Sequence, residues 1–236
     1  MKERILSEVR KQLKQNTDAK AKAALSHFFK EEVNGYGVKM ALITKILRET
    51  YGKIKGLPKK EIFIMCENLM KAGYFEERIV AFKWAEKQEK YFQKSDFRRL
   101  ETWVNKYISN WAECDTLCNH TIGAFIERFP QYVEKLKLWA KSENRWVKRA
   151  ASVSLILPAR RGGFLKDVFE IADILCRDTD DMVQKGYGWM LKEASRKHRK
   201  EVFDYVIRNK NIMPRTAFRY AIEKMGVRLR RKAMAK

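Results

Sequence analysis

Apolar residues recur at helical spacing along almost the entire chain, and the alternation of apolar and polar positions that is typical of strands is scarce. Ile79, Phe82 and Phe92 illustrate the pattern, since they predict an apolar stripe on a helix over residues 75–94. The same pattern predicts further helices over residues 2–15, 18–32, 38–50, 58–71, 96–109, 113–128, 131–141, 144–157, 164–176, 181–197, 199–208 and 215–225. The chain is therefore predicted to be all-α.

A period of about 36 residues is superimposed on the helical pattern. Segments of similar apolar phasing place Arg78, Arg149, Lys185 and Arg219 in register, at intervals of 71, 36 and 34 residues. The first interval spans two periods, and its midpoint falls in another segment with the same phasing, AECDTLCNHTIG. Equivalent helices at fixed intervals are typical of stacked repeats whose shared faces line one surface. The predicted fold class is a curved solenoid of HEAT-like helical repeats, an α-α superhelix.

Composition adds a strong positive charge to this picture. The chain has 51 Lys and Arg residues against 29 Asp and Glu, a formal charge of +22. Such a surface favours nucleic acid as the partner, although a solvated basic surface, the ribosome or an acidic membrane surface would also suit it. Basic residues are spread along the chain and rise again at 228–236. We expect one repeat domain over residues 1–236, with a broad binding face and a basic C-terminal tail.

Several classes of chemistry are disfavoured by the motifs. No segment predicts a membrane span and the first residues do not resemble a secretory signal, so we expect a cytoplasmic protein. The cysteines, Cys66, Cys114, Cys118 and Cys176, are predicted to be reduced thiols. Cys114, Cys118 and His120 approach zinc-ligand spacing but lack a fourth ligand, so no metal is predicted. Phosphate-binding and dinucleotide-binding glycine motifs are absent, which argues against a nucleotide cofactor.

One segment departs from the repeat pattern, because Trp111 and Asp115 stand where other units carry a basic residue. Four residues apart, they share a helix face, and basic neighbours would keep the carboxylate ionised. Asp115 could instead be an N-cap, since apolar residues follow it.

A second tryptophan, Trp189, follows two glycines, Gly186 and Gly188. Such small residues let a helix face approach another group closely. Most tryptophans are core residues, so packing is the alternative interpretation. Side-by-side stacking of the helices would allow Trp111, Asp115, Arg149 and Trp189 to converge.

Three motifs resemble the AlkD-type DNA alkylation repair family, the HEAT-like-repeat alkylpurine DNA glycosylases. They are S-N-W-A-E-C-D-T-L (109–117), N-R-W-V-K-R-A-A (144–151) and V-Q-K-G-Y-G-W-M-L-K-E (183–193), in the family's order and at similar separations. The resemblance covers a little more than half of the chain strongly, and the first hundred residues chiefly through their helix pattern and Gly37.

The resemblance implies a solenoid that holds duplex DNA containing alkylated bases. It assigns Asp115 as the catalytic carboxylate, Trp111 and Trp189 as the indoles beside the damaged nucleotide, and Arg149 as a contact to the DNA backbone. Phe28 stands where the family has a tyrosine. The other candidate DNA-binding residues are Lys148, Lys185, Lys192, Lys39 and Lys45.

The implied activity is hydrolysis of the N-glycosidic bond of N3- or N7-alkylated purines. We expect the enzyme to act as a monomer without a cofactor, associated with the nucleoid through DNA binding. Two alternatives stay open at this point: a non-catalytic helical-repeat protein that binds bent, damaged or branched DNA, and a protein-binding scaffold whose binding to DNA is weak and insensitive to salt.

Overall fold

The computed structural model describes residues 1–235, with the side chain of Ser26 excepted, and contains helices but no strand in that part of the chain. This confirms the predicted all-α class. The helices are α1 (Lys2–Gln15), α2 (Ala19–Phe28), α3 (Met40–Ile54), α4 (Lys59–Lys71), α5 (Phe75–Glu86), α6 (Asp96–Tyr107), α7 (Trp111–Thr116), α8 (Gly123–Arg128), α9 (Val133–Trp139), α10 (Arg145–Val153), α11 (Ile156–Arg160), α12 (Leu165–Leu175), α13 (Asp181–Ala194), α14 (Arg199–Arg208), α15 (Arg215–Ile222) and α16 (Val227–Met234).

Contacts divide the chain into two compact units, residues 1–117 and 118–236. In the first unit α4 packs against α5, and α5 also contacts α3 and α7. Both Phe82 and Trp84 of α5 are completely buried, so this helix is the centre of the unit. The predictions of one domain over 1–236 and of a basic tail at 228–236 stay predictions, and Lys236 lies outside the described residues.

The second unit contains helix pairs in the succession that the period predicts. Helices α9 and α10, α12 and α13, and α14 and α15 pack in pairs, while α13 also packs between α10 and α15. The aligned residues Arg149, Lys185 and Arg219 lie on α10, α13 and α15. Equivalent helices of successive pairs are therefore neighbours, as in stacked helical repeats.

The glycines of α13 explain how closely these helices approach. A Cβ atom at Gly186 would lie 2.9 Å from the Ser152 Oγ, and one at Gly188 would lie 2.9 Å from the carbonyl oxygen of Ala217. Gly186 therefore faces α10 and Gly188 faces α15. The groups that these small residues approach therefore belong to the neighbouring helices α10 and α15.

Several helix boundaries differ from the prediction. Helix α5 ends at Glu86, and Glu89–Tyr91 form a separate 3-10 turn, so the predicted helix over 75–94 is too long. The helix predicted over 113–128 begins at Trp111 and widens into a π-helical turn at Leu117–Ile122 before α8.

The basic C-terminal segment, predicted as a tail, forms helix α16. Arg and Lys have high helix propensity, and Leu229 and Ala233 are spaced four residues apart on one face, with Ala233 fully buried. The charge of the segment concealed this short apolar face.

All four cysteines are buried and unbridged. Burial raises the pKa of the Cys66 thiol, and it also raises that of Cys176.

A search of the described residues finds no helix that could cross a membrane.

Candidate functional site

The candidate carboxylate, Asp115, lies inside helix α7 and is half-buried. The N-cap of α7 is Asn110, whose side-chain oxygen accepts a hydrogen bond from the Glu113 N–H at 3.0 Å. The interpretation of Asp115 as an N-cap is therefore wrong. Trp111 begins the helix one turn earlier on the same face, and it is half-buried as well. The π-helical turn that follows is a rare local geometry which often occurs at functional sites.

A buried carboxylate, Glu113, fixes the start of this helix. It is 1% exposed and accepts hydrogen bonds from the Ser109 N–H at 2.8 Å and from the Ser109 hydroxyl at 3.0 Å. It also forms an ion pair with Arg78, with 3.1 Å between Nη1 and Oε1. Sequence reasoning missed Glu113, although the spacing of Asn110 and Glu113 is that of a capping box.

We expect the substitution Glu113→Gln to lower the free energy of unfolding by about 1–3 kcal/mol, because it leaves buried polar partners without their ionised acceptor. Urea denaturation measures this change. Glu134→Gln is the control: Glu134 is largely exposed, and Lys137 keeps ion pairs to Asp167 and Glu170 without it. The control should lose less than about 0.5 kcal/mol. Equal losses in the two variants would contradict the anchoring role.

An aromatic cluster surrounds Trp111. Its ring centroid lies 5.2 Å from that of Phe28 and 5.7 Å from that of Phe29, and Phe29 in turn contacts Phe75 at 5.5 Å. Phe29 is buried, whereas Phe28, the last residue of α2, is 64% exposed. The structure therefore brings the predicted residues Phe28 and Trp111 together, with one ring open to solvent.

The loop that leads from α2 to α3 is held by a second buried carboxylate, Glu76. Its oxygens accept hydrogen bonds from the backbone N–H groups of Tyr36, Gly37 and Val38 at 2.8–3.0 Å. Gly37 has φ +80°, and a Cβ atom there would lie 2.4 Å from the Cβ of Lys22. The conformation and the close approach both require glycine at this position.

The neighbouring glutamate, Glu77, completes the anchor of this loop. It accepts a hydrogen bond from the Tyr36 hydroxyl at 2.7 Å and pairs with Arg10 at 3.0 Å. Burial, followed by this hydrogen bond, raises the pKa of Tyr36. The phenol therefore stays protonated and acts as a donor.

The two candidate lysines of this region lie on another element from the Trp111 cluster. Lys39 is the N-cap of α3 and pairs with Asp18 at 2.9 Å, and Lys45 is exposed within α3. The pKa of Asp18 is lowered by the hydrogen bond from the Ala21 N–H and then by Lys39. Nothing in these contacts assigns DNA binding to either lysine, which stays a prediction.

In the second unit, three predicted residues form one half-exposed face of α13: Lys185, Trp189 and Lys192. Their spacing of four and three residues places them on one side of the helix. Lys192 pairs with Glu223 at 3.1 Å and lies 5.4 Å from the ring centroid of Tyr220.

The predicted backbone contact, Arg149, is only 5% exposed. Its Nη1 donates a hydrogen bond to the Met182 carbonyl at 2.5 Å, and its side chain passes beside Gly186. Lys148, next to it on α10, pairs with Asp178. The structure thus gives both cations protein partners near the start of α13, and their contact with DNA stays a prediction.

The predicted residues therefore fall into two groups: Phe28, Trp111 and Asp115 in the first unit, and Lys148, Arg149, Lys185, Trp189 and Lys192 on α10 and α13 in the second. Among residues 1–235, no cluster of three His, Cys, Asp or Glu side chains has the arrangement of a metal site. The first group supplies a carboxylate, an indole ring and a phenyl ring, and the second supplies an indole ring and four cationic side chains.

Fold and site define an all-α protein of stacked helix pairs with basic and aromatic surfaces. The sequence matches the family described as DNA alkylation repair enzyme over residues 9–225. The chain belongs to this family, and its role is in the repair of alkylated DNA.

A solved structure shows the same fold. It is described as a predicted DNA alkylation repair enzyme from Enterococcus faecalis, with 14% sequence identity and a TM-score of 0.79 over 90% of this chain and 98% of that chain. A search of curated proteins finds no match to this sequence.

Proposed function

We propose that the protein is a DNA glycosylase that excises N3- and N7-alkylated purines from duplex DNA by hydrolysis of the N-glycosidic bond. The observation that carries the proposal is the pairing of Trp111 and Asp115 on one face of α7, with Asp115 inside the helix and a different residue as the cap. Membership of a DNA alkylation repair family supports the substrate class.

The proposed reaction suits a single carboxylate. An N3- or N7-alkylated purine already carries positive charge, so the bond between its nitrogen and C1′ breaks with the electron pair moving to the base. The base then leaves uncharged, and positive charge develops on the deoxyribose. Asp115 stabilises this oxocarbenium-like sugar electrostatically. Water adds its oxygen to C1′ and gives its proton to the Asp115 carboxylate or to solvent.

The proposal also assigns a role to the indole rings, which attract the positively charged base. The face of an indole attracts a cation by about 0.5–2 kcal/mol, which favours a charged base over an ordinary one. Trp111 supplies one ring in the first unit and Trp189 supplies another in the second. Phe28, in contact with Trp111, extends the aromatic surface.

Cationic side chains would hold the DNA in this proposal. Lys185 and Lys192 share the half-exposed face of α13 with Trp189, and Arg149 and Lys148 lie on the adjacent α10. Phosphate contacts of this kind make binding fall steeply with salt. We further propose that the enzyme works in the cytoplasm as a monomer, without a metal or a nucleotide cofactor.

A base-release assay tests the proposal. Wild-type protein incubated with methylated duplex DNA should release 7-methylguanine, and the same duplex without methylation should release no guanine. Salt-sensitive binding of DNA without release of base would instead support the non-catalytic DNA-binding alternative. Weak binding that does not respond to salt would support a protein-binding scaffold.

A further inference from the structure

A groove of about 700 Å³ lies between α15 and α16 and is rimmed by four arginines: Arg215, Arg219, Arg230 and Arg231. All four side chains are exposed. Arg219 was predicted only to lie in register with Arg149 and Lys185, and Arg230 and Arg231 were predicted only to belong to the basic C-terminal tail. Such a concentration of like charge costs stability by mutual repulsion, which a bound anion would relieve.

These arginines have no carboxylate partner among residues 1–235. The one acidic residue of the groove, Glu223, pairs with Lys192 at 3.1 Å and with Lys224 at 3.8 Å. By contrast, Lys148 of α10 and Lys185 of α13 are paired with neighbouring aspartates. The groove is therefore a place where cations face solvent with their donors available.

The ends of the two helices add to this positive field. The first turns of α15 and α16 contain no acidic residue, although acidic residues are favoured there because the helix dipole is positive. Arg215 and Arg228 occupy those turns instead. Cations at these positions are not offset by a first-turn carboxylate, so they add to the positive field of the groove.

The groove continues the half-exposed face of α13. Lys192 of that face contacts both Tyr220 and Glu223, and these two residues also line the groove. Trp189 lies three residues before Lys192 on the same side of α13. A polymer that passes over Trp189 and Lys192 would therefore meet the arginines next.

We propose that the groove between α15 and α16 binds successive phosphates of the DNA backbone beside the damaged nucleotide. The guanidinium groups match phosphate oxygens in geometry and charge. Tyr220, Val227 and Met234 also line the groove, and their apolar surfaces suit the apolar faces of the deoxyribose rings. The identity of the DNA as substrate rests on the proposed function, whereas the binding of its phosphates is tested separately from catalysis.

The test is the triple substitution Arg219→Gln, Arg230→Gln and Arg231→Gln, with the unmodified DNA duplex as the binding probe. The dissociation constant is measured over a series of salt concentrations. The slope of log Kd against log salt should fall by about 2–3, and Kd at about 0.1 M salt should rise at least tenfold. Arg219→Gln and Arg231→Gln as single substitutions should each lower the slope by about 1.

The matched control removes three positive charges elsewhere in the second unit, by the triple substitution Arg177→Gln, Arg199→Gln and Arg208→Gln. These exposed arginines follow α12 or lie at the ends of α14, and none of them lines the groove. The control should keep the wild-type slope. An equal loss in the control, or no loss in the test variants, would overturn the proposal.

Base release separates this inference from the proposed function. Release of 7-methylguanine is measured with the wild-type protein, and its result bears on the glycosylase activity alone. If the arginine variants lose DNA binding as expected but the wild-type protein releases no base, the result would support the groove and reject the glycosylase activity. Polyglutamate that displaces the duplex from the arginines at equal charge concentration would overturn the proposal in favour of an acidic protein partner.

Discussion

The substitution Asp115→Asn is expected to lower the release of 7-methylguanine from methylated duplex DNA by at least about a hundredfold, as the loss of a major electrostatic contribution to a transition state does. Asparagine has nearly the same size as aspartate but carries no charge, so the developing positive charge on the sugar would lose its stabilisation. Affinity for the duplex should stay the same or rise, because a negative charge is removed near phosphates. Single-turnover release and fluorescence anisotropy measure the two quantities.

Asp204→Asn is the control for this experiment. Asp204 is an exposed carboxylate of α14 that pairs with Lys200, and its removal changes the net charge by the same amount. It should release base at the wild-type rate. Unchanged release in the Asp115→Asn variant would remove the catalytic assignment, even if the family's role in repair still holds.

The second large effect concerns stability. Gly188→Val should lower the free energy of unfolding by about 3 kcal/mol, because overpacking at a close helix contact forces the helices apart. A Cβ atom at Gly188 would lie 2.7 Å from the Cβ of Tyr220 and 3.0 Å from the Cα of Ala217. Most of this obstruction is backbone or is attached directly to it, so a side-chain rotation cannot relieve it.

Gly52→Val gives the matched comparison. Gly52 lies in α3, and a Cβ atom there would meet nothing within 4 Å. Valine and glycine differ by less than about 0.5 kcal/mol in helix propensity, so the unfolding midpoint in urea should barely move. Similar losses for the two substitutions would show that the contact between α13 and α15 is looser than described.

Periodic features of this chain were predictable because they follow from helix geometry. The register of Arg149, Lys185 and Arg219 identified three helices that pack in succession, since one repeat unit must bury its apolar face against the next. The spacing of Trp111 and Asp115 likewise placed them on one face of a helix, and α7 has both on it.

Features that depend on long-range contacts were not predictable in this way. The burial of Arg149 against the Met182 carbonyl depends on how closely α10 and α13 approach, which the glycines of α13 determine. The carboxylate of Glu76 binds a loop about 40 residues earlier in the chain, and no local pattern signals such a partner. Helix α16 was not among the predicted helices, because the apolar face of this basic segment is limited to Leu229 and Ala233.

The burial of all four thiols has a chemical consequence for a protein of this family. Sulfur is among the most nucleophilic atoms of a protein, and its thiolate is the form that attacks carbon electrophiles such as methylating agents. Cys66 and Cys176 are shielded from solvent and held as neutral thiols by their apolar surroundings. The compounds that damage DNA therefore find no solvent-exposed cysteine among the described residues.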